Sequence, residues 1–176
     1  MSRRSAERRR RRQALQELYA SLPNVACQGL CQQSCSARIE MSDLERDLLQ
    51  ASSGVRLPEG DEWPTGAPCP LLTSSGACGD HPNRPAVCRL YGAVASPNML
   101  CPHGCAATAQ LSVKQMLEVI LRSFEIGGHR EYAGRADTMR ALITDPRLHP
   151  AILRLLTGHT SPRQKFNRVR RRRFSL

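Results

Sequence analysis

The sequence predicts a mainly α fold, with a loop-rich, cysteine-bearing half packed with a C-terminal helical half and basic extensions at both ends. Three observations predict it. All eight cysteines lie between Cys27 and Cys105, in a stretch rich in Pro and Gly. Beyond residue 107 the apolar residues recur at helical spacing. Arginine is concentrated in the first and last segments, and strand patterns are scarce. The divisions implied are 1–22, a basic amphipathic helix or arm; 23–106, the cysteine cluster; 107–161, a helical segment; and 162–176, an Arg-rich tail.

Leu15, Leu18 and Leu22 place a helix over 5–22, behind Arg8–Arg12 and stopped by Pro23. Ser42-x-x-Glu45 is a capping-box signature ahead of Leu44, Leu48 and Leu49, with Gly54 as the stop. Residues 55–68 read as an irregular acidic loop, whose Trp63 is expected to lid a small core. Pro82 and Pro85 stiffen residues 79–86, and Cys88–Val94 is the best short strand candidate. Ser112-x-x-Gln115 opens a helix carrying Val113, Met116, Leu117, Ile120 and Phe124 to Gly127-Gly128. A second helix is expected over 129–144, with Tyr132, Ala136, Met139 and Ile143 on one face. A third runs from Pro150 through Ile152, Leu155 and Leu156 to Gly158. The histidines His129, His149 and His159 fall near helix ends, where capping or solvent exposure is expected.

The net charge of +11 is unevenly placed. Residues 1–22 carry +5 and residues 162–176 carry +7, leaving the central segment at −1. No apolar run approaches the roughly 20 residues of a membrane span. The N-terminus lacks the apolar stretch of a secretory signal, and Glu7 with five further arginines follows Arg3-Arg4 where a twin-arginine leader would be apolar. No asparagine sits in a glycosylation sequon. These features read as a cytoplasmic protein.

In a reducing compartment clustered thiols are metal ligands more often than disulfides. The candidate ligands are Cys27, Cys31, Cys35, Cys69, Cys78, Cys88, Cys101 and Cys105. Cys27-x3-Cys31-x3-Cys35 and Cys101-x3-Cys105 would share one face of a helix, drifting about 40° per step. No CxxC knuckle is present, so zinc-finger templates do not apply. On a helix this spacing suits the wider thiolate separation of an iron–sulfur cluster. Gly29 argues for a loop instead, which leaves zinc and iron–sulfur both open. His81 and His103 are further nitrogen donors that could replace a thiolate. Bound thiolates would make the central body acidic between two cationic arms.

Cys27–Cys35, Cys69-Pro70-Leu71-Leu72, Cys78 and Arg84-Pro85-x2-Cys88-Arg89-x-Tyr91 together resemble the YkgJ-type cysteine-cluster family, a zinc- or iron-chelating domain with about eight cysteines. The resemblance covers residues 25–105 and implies metal binding through these thiols. The opening motif departs from the family, because Ser34 and Ser36 flank Cys35 where a Cys-Cys doublet is usual. One ligand of the opening group is therefore missing, or is supplied by Cys101, Cys105 or a histidine. Some relatives are flagellin lysine N-methylases, which keeps a methylase-like or redox enzyme as an alternative. Arg84 and Arg89 would favour ionised thiols nearby, or would otherwise cap carbonyls or form surface ion pairs.

Arg8, Arg9, Arg10, Arg11 and Arg12, with Arg170, Arg171, Arg172 and Arg173, are candidate phosphate contacts, since the guanidinium fork suits phosphate. Nucleic acid is the partner they imply. The competing reading is a solvated arm at each end.

Overall fold

A computed structural model describes residues 3–30, 35, 39–59, 62–63, 67–101, 103–129, 132 and 135–156. Cys31, His159 and the tail with Arg170–Arg173 lie outside the described residues, as does the predicted stop at Gly158. Six α-helices carry the described chain: α1 (Arg3–Ala20), α2 (Asp43–Ser53), α3 (Ala86–Arg89), α4 (Val113–Gly127), α5 (Ala136–Ile143) and α6 (His149–Leu156). Extended pairing among the described residues is confined to isolated bridges, Val25 with Ala107, Leu72 with Cys78 and Val94 with Leu111.

The N-terminal helix lies against the body. Leu15 is buried with Leu44 of α2 and Ile126 of α4, and Ala14, Leu18, Tyr19 and Leu48 pack around them. Arg11 Nε donates to the Ile126 carbonyl at 2.5 Å, so a cation satisfies an orphan acceptor at the negative end of α4. Arg8 pairs with Asp47 of α2 at 3.1 Å, both exposed. Arg9, Arg10 and Arg12 are exposed.

Both capping boxes form as the sequence predicts. Ser42 and Glu45 exchange side-chain and backbone bonds at the start of α2, and Gly54 closes that helix at φ 70°. Ser112 and Gln115 do the same for α4. On α4, Met116, Leu117, Ile120, Leu121 and Phe124 are buried, while Lys114 and Glu118 pair outward at 3.8 Å. Burying each such large apolar side chain contributes about 1.5–3 kcal/mol. The stripe packs with Leu49, Leu57, Trp63, Leu71, Leu90, Met99, Leu142, Ile143 and Ile152. The cysteine-bearing half and the helical half therefore share one core, and Trp63 sits inside it at 4% exposure.

Three expectations are corrected. The helix expected over 129–144 begins only at Ala136. Gly128, at φ 78° and ψ 150°, turns the chain away from α4, and His129 and Tyr132 fold back onto Phe124 with ring centroids 4.5 and 5.1 Å from it. His129, expected at a capping or solvent position, has its side chain turned inward, its Nε2 3.4 Å from Glu40 Oε2. The strand expected over Cys88–Val94 is instead the end of α3 followed by turns, with only Val94 in a bridge. Pro85 sets the helix start there at φ −70°, and Gly92 at φ 77° breaks any extended run.

Candidate metal centre

Of the described cysteines, Cys88 is on α3, while Cys27, Cys69, Cys78, Cys101 and Cys105 lie outside the helices on segments pinned by backbone bonds. Gly29 at φ 77° turns the chain after Cys27, so the Cys27–Cys35 stretch does not run on as a helix from Cys27. The Gly29 N–H points back at Cys27 Sγ, 3.5 Å away. Cys78 N–H donates to the Gly29 carbonyl at 3.1 Å, which joins the first cysteine loop to the second. Leu71, Thr73, Ala77 and Gly79 close a tight turn between Cys69 and Cys78, with Gly79 N–H on Leu71 O at 2.7 Å. The third loop arrives through the Val25–Ala107 bridge. There Gly92 is pressed against the Cys105 carbonyl so closely that a Cβ would collide with it. Gly104 at φ 73° keeps Cys101 and Cys105 on a turn too.

Two donor pairs result. Cys69 N–H donates to the Cys35 carbonyl at 2.6 Å, and the two side chains hydrogen-bond. That bond, with help from a Leu71 backbone bond and against partial burial, lowers the Cys69 thiol to about 7. Burial pushes the Cys78 thiol up, and a charge on Cys69 pushes the same way. The second pair is Cys27 and His81, with Sγ and Nε2 3.2 Å apart. Arg84 Nη1 donates to Cys27 Sγ at 3.1 Å and lies 2.8 Å from His81 Nε2. Burial, then Arg84 and Arg89, lower the His81 pKa, which favours the neutral imidazole a metal needs.

Arg84 therefore meets a thiol, while Arg89 turns to the backbone and to Tyr19. Arg89 donates to the carbonyls of Arg84 at 2.8 Å and Pro82 at 2.6 Å, and its guanidinium lies 4.2 Å over the Tyr19 ring. Cys88 is half-buried on α3, within electrostatic reach of Tyr19. Behind the site, Glu45 is 2% exposed and accepts from Tyr19, from the Ser42 amide and hydroxyl, and from the Ala86 amide. Asp80 is tied to Ser52 of α2 and to Asn83. These contacts anchor the 80–89 segment to α1 and α2. The capping box revealed Glu45 in sequence, but nothing there marked its bond to Ala86, 41 residues away.

The seven described cysteines are thiols, not disulfides. No group of three or more His, Cys, Asp or Glu side chains converges as a metal cage among the described residues. The donors nonetheless fit a thiophilic metal in kind: thiols, one of them acidified, and a neutral imidazole, held as close pairs on pinned loops.

Close sulfur and nitrogen donors on pinned loops, braced against a helical core, are features in keeping with a cysteine-cluster domain. The family model CxxCxxCC, described as "Putative zinc- or iron-chelating domain", matches residues 26–113, half of the chain, and the chain belongs to that family. No curated protein and no solved structure matches it significantly. No described helix is long and apolar enough to cross a membrane.

Proposed function

We propose that the protein binds zinc through its clustered cysteines and that the metal staples the loop-rich half onto the helices. The observation that supports this reading is the joining of Cys35 and Cys69, whose backbones meet through the Cys69 N–H and the Cys35 carbonyl at 2.6 Å. A tetrahedral zinc holds two sulfurs about 3.8 Å apart, which calls for cysteines brought together in this way. An iron–sulfur cluster holds its thiolates farther apart, and the loop conformation at Gly29 removes the helical spacing that favoured it. The proposed donors are the eight cysteines Cys27 to Cys105, and reduced thiols of this kind accord with a cytoplasmic location. Metal analysis of protein purified without oxygen tests the reading. Stoichiometric zinc supports it, and iron with a thiolate-to-iron absorption band replaces it with the iron–sulfur alternative.

We also propose that Arg9, Arg10 and Arg12 meet nucleic-acid phosphates. What favours this is their shared exposure on α1, while Arg8 and Arg11 are engaged with the body. Binding that weakens steeply with salt, and that fails when the three are changed to alanine, supports the proposal. Binding indifferent to either change rejects it.

A further inference from the structure

We infer that His81 is itself a metal ligand, acting with Cys27, and that Arg84 competes with the metal for these two donors. The inference rests on the metal-binding reading and deepens it. Two donors on a tetrahedral zinc, one sulfur and one imidazole nitrogen, lie roughly 3.5 Å apart. Cys27 Sγ and His81 Nε2 are 3.2 Å apart, so the pair needs to open by only a few tenths of an ångström. They are 54 residues apart in sequence, and the fold brings them together through the Cys78–Gly29 backbone bond and the turn at His81–Asn83. The imidazole packs beside Gly29, where an added Cβ would lie 3.6 Å from the ring.

The opening cysteine group leaves a place for such a ligand. The family pattern CxxCxxCC carries four cysteines in its opening group. This chain has three there, Cys27, Cys31 and Cys35, each separated by three residues, with Ser36 after the last. An imidazole reaching in from residue 81 restores four.

Arg84 places one N–H group against both donors, at 3.1 Å from the sulfur and 2.8 Å from the nitrogen. A positive charge therefore already sits where the lone pairs of Cys27 and His81 meet. Holding that position leaves the Arg84 Nε buried without a hydrogen-bond partner. A buried donor left unsatisfied makes the guanidinium a poor permanent occupant, and two cations cannot share the pair.

The test uses the full chain with Zn²⁺, Co²⁺ and ¹¹³Cd²⁺. In the native protein the His81 ring signals are expected to shift on adding Zn²⁺ and to show coupling to bound ¹¹³Cd²⁺. His81→Ala is expected to weaken Zn²⁺ at least about tenfold. His81→Cys should keep tight binding and strengthen the thiolate-to-cobalt absorption. Arg84→Gln should bind Zn²⁺ severalfold more tightly. If the native chain binds metal while the His81 signals stay unmoved, His81 is no ligand and the inference falls alone. If Arg84→Gln binds more weakly, the competition is overturned and Arg84 is a supporting donor to the thiolate. A native chain that takes up none of the three metals overturns the inference and the metal-binding reading together.

Discussion

The Tyr19 hydroxyl donates to Glu45 Oε1 at 2.6 Å, joining the N-terminal helix to the base of the cysteine site. The same oxygen accepts the Ala86 amide at 2.7 Å, at the first residue of the helix that carries Cys88. Its other oxygen accepts the Ser42 amide and hydroxyl, each at 2.8 Å. One buried carboxylate thus fastens α1, α2 and α3 together. Tyr19→Phe is expected to cost about 1.5–3 kcal/mol in urea unfolding, as for hydrogen bonds to charged groups. Glu45→Ala should cost more, because it also orphans the Ser42 and Ala86 donors.

The same bond makes stability depend on alkaline pH. Burial, followed by the nearby Glu45 charge, raises the Tyr19 pKa well above its ordinary value of 10.0. The folded chain therefore holds this proton more tightly than the unfolded one. The stabilisation is fully present below about pH 10 and is lost as pH rises through the folded pKa. Urea midpoints measured from pH 8 upward should decline past pH 10, and Tyr19→Phe should flatten that decline. An unchanged slope would remove Tyr19 as its source.

Cys69 should ionise more readily than an ordinary thiol in metal-stripped protein, with alkylation rising around pH 7. Cys35→Ala removes the hydrogen bond that is the main cause of the lowering, so the midpoint should move up. Peptide mass spectrometry after timed alkylation reads both proteins side by side.

Residues 3–22 form part of the folded body. Leu15 is 1% exposed and Arg11 caps α4, so Leu15→Ala should cost about 2–5 kcal/mol in unfolding free energy. Arg9→Ala, on the exposed face, should leave the melting temperature within error. Equal effects at the two positions would contradict the docking of α1.

Three glycines should separate by mechanism. At Gly92 an added Cβ strikes the Cys105 carbonyl at positive φ, and at Gly127 it strikes the Ser42 hydroxyl. At Gly54 it meets nothing within 4 Å, though φ is +70°. Gly54→Ala should cost about 1–2 kcal/mol, the left-handed strain alone. Gly92→Ala and Gly127→Ala should each cost more, and Gly92→Ala should also weaken metal binding by shifting Cys105. Thermal melts with a zinc titration rank the three.

What could be read in the sequence was what short-range chemistry dictates. Both capping boxes, the Gly54 stop and the α4 stripe depend on residues within a few positions of one another, and all four appear. The helix over 129–144 failed at its start because Gly128 redirects the chain and Phe124 recruits His129 and Tyr132. The periodicity of Tyr132 with Ala136 and Met139 could not show that. In the site, residue types were legible and partners were not. The sequence offered Arg84 and Arg89 the same roles, and tertiary contacts divided them, one onto Cys27 and one onto carbonyls and Tyr19. His81 stood out only as a nitrogen donor near Cys78. The sulfur it contacts is that of Cys27, which no local pattern connects to it.

The most direct measurement is the metal content and visible spectrum of the full chain purified without oxygen, followed by chelator-induced unfolding. The account predicts a colourless protein with stoichiometric zinc, whose 27–105 segment unfolds when the metal is withdrawn. A chain that stays folded with no metal bound would contradict it.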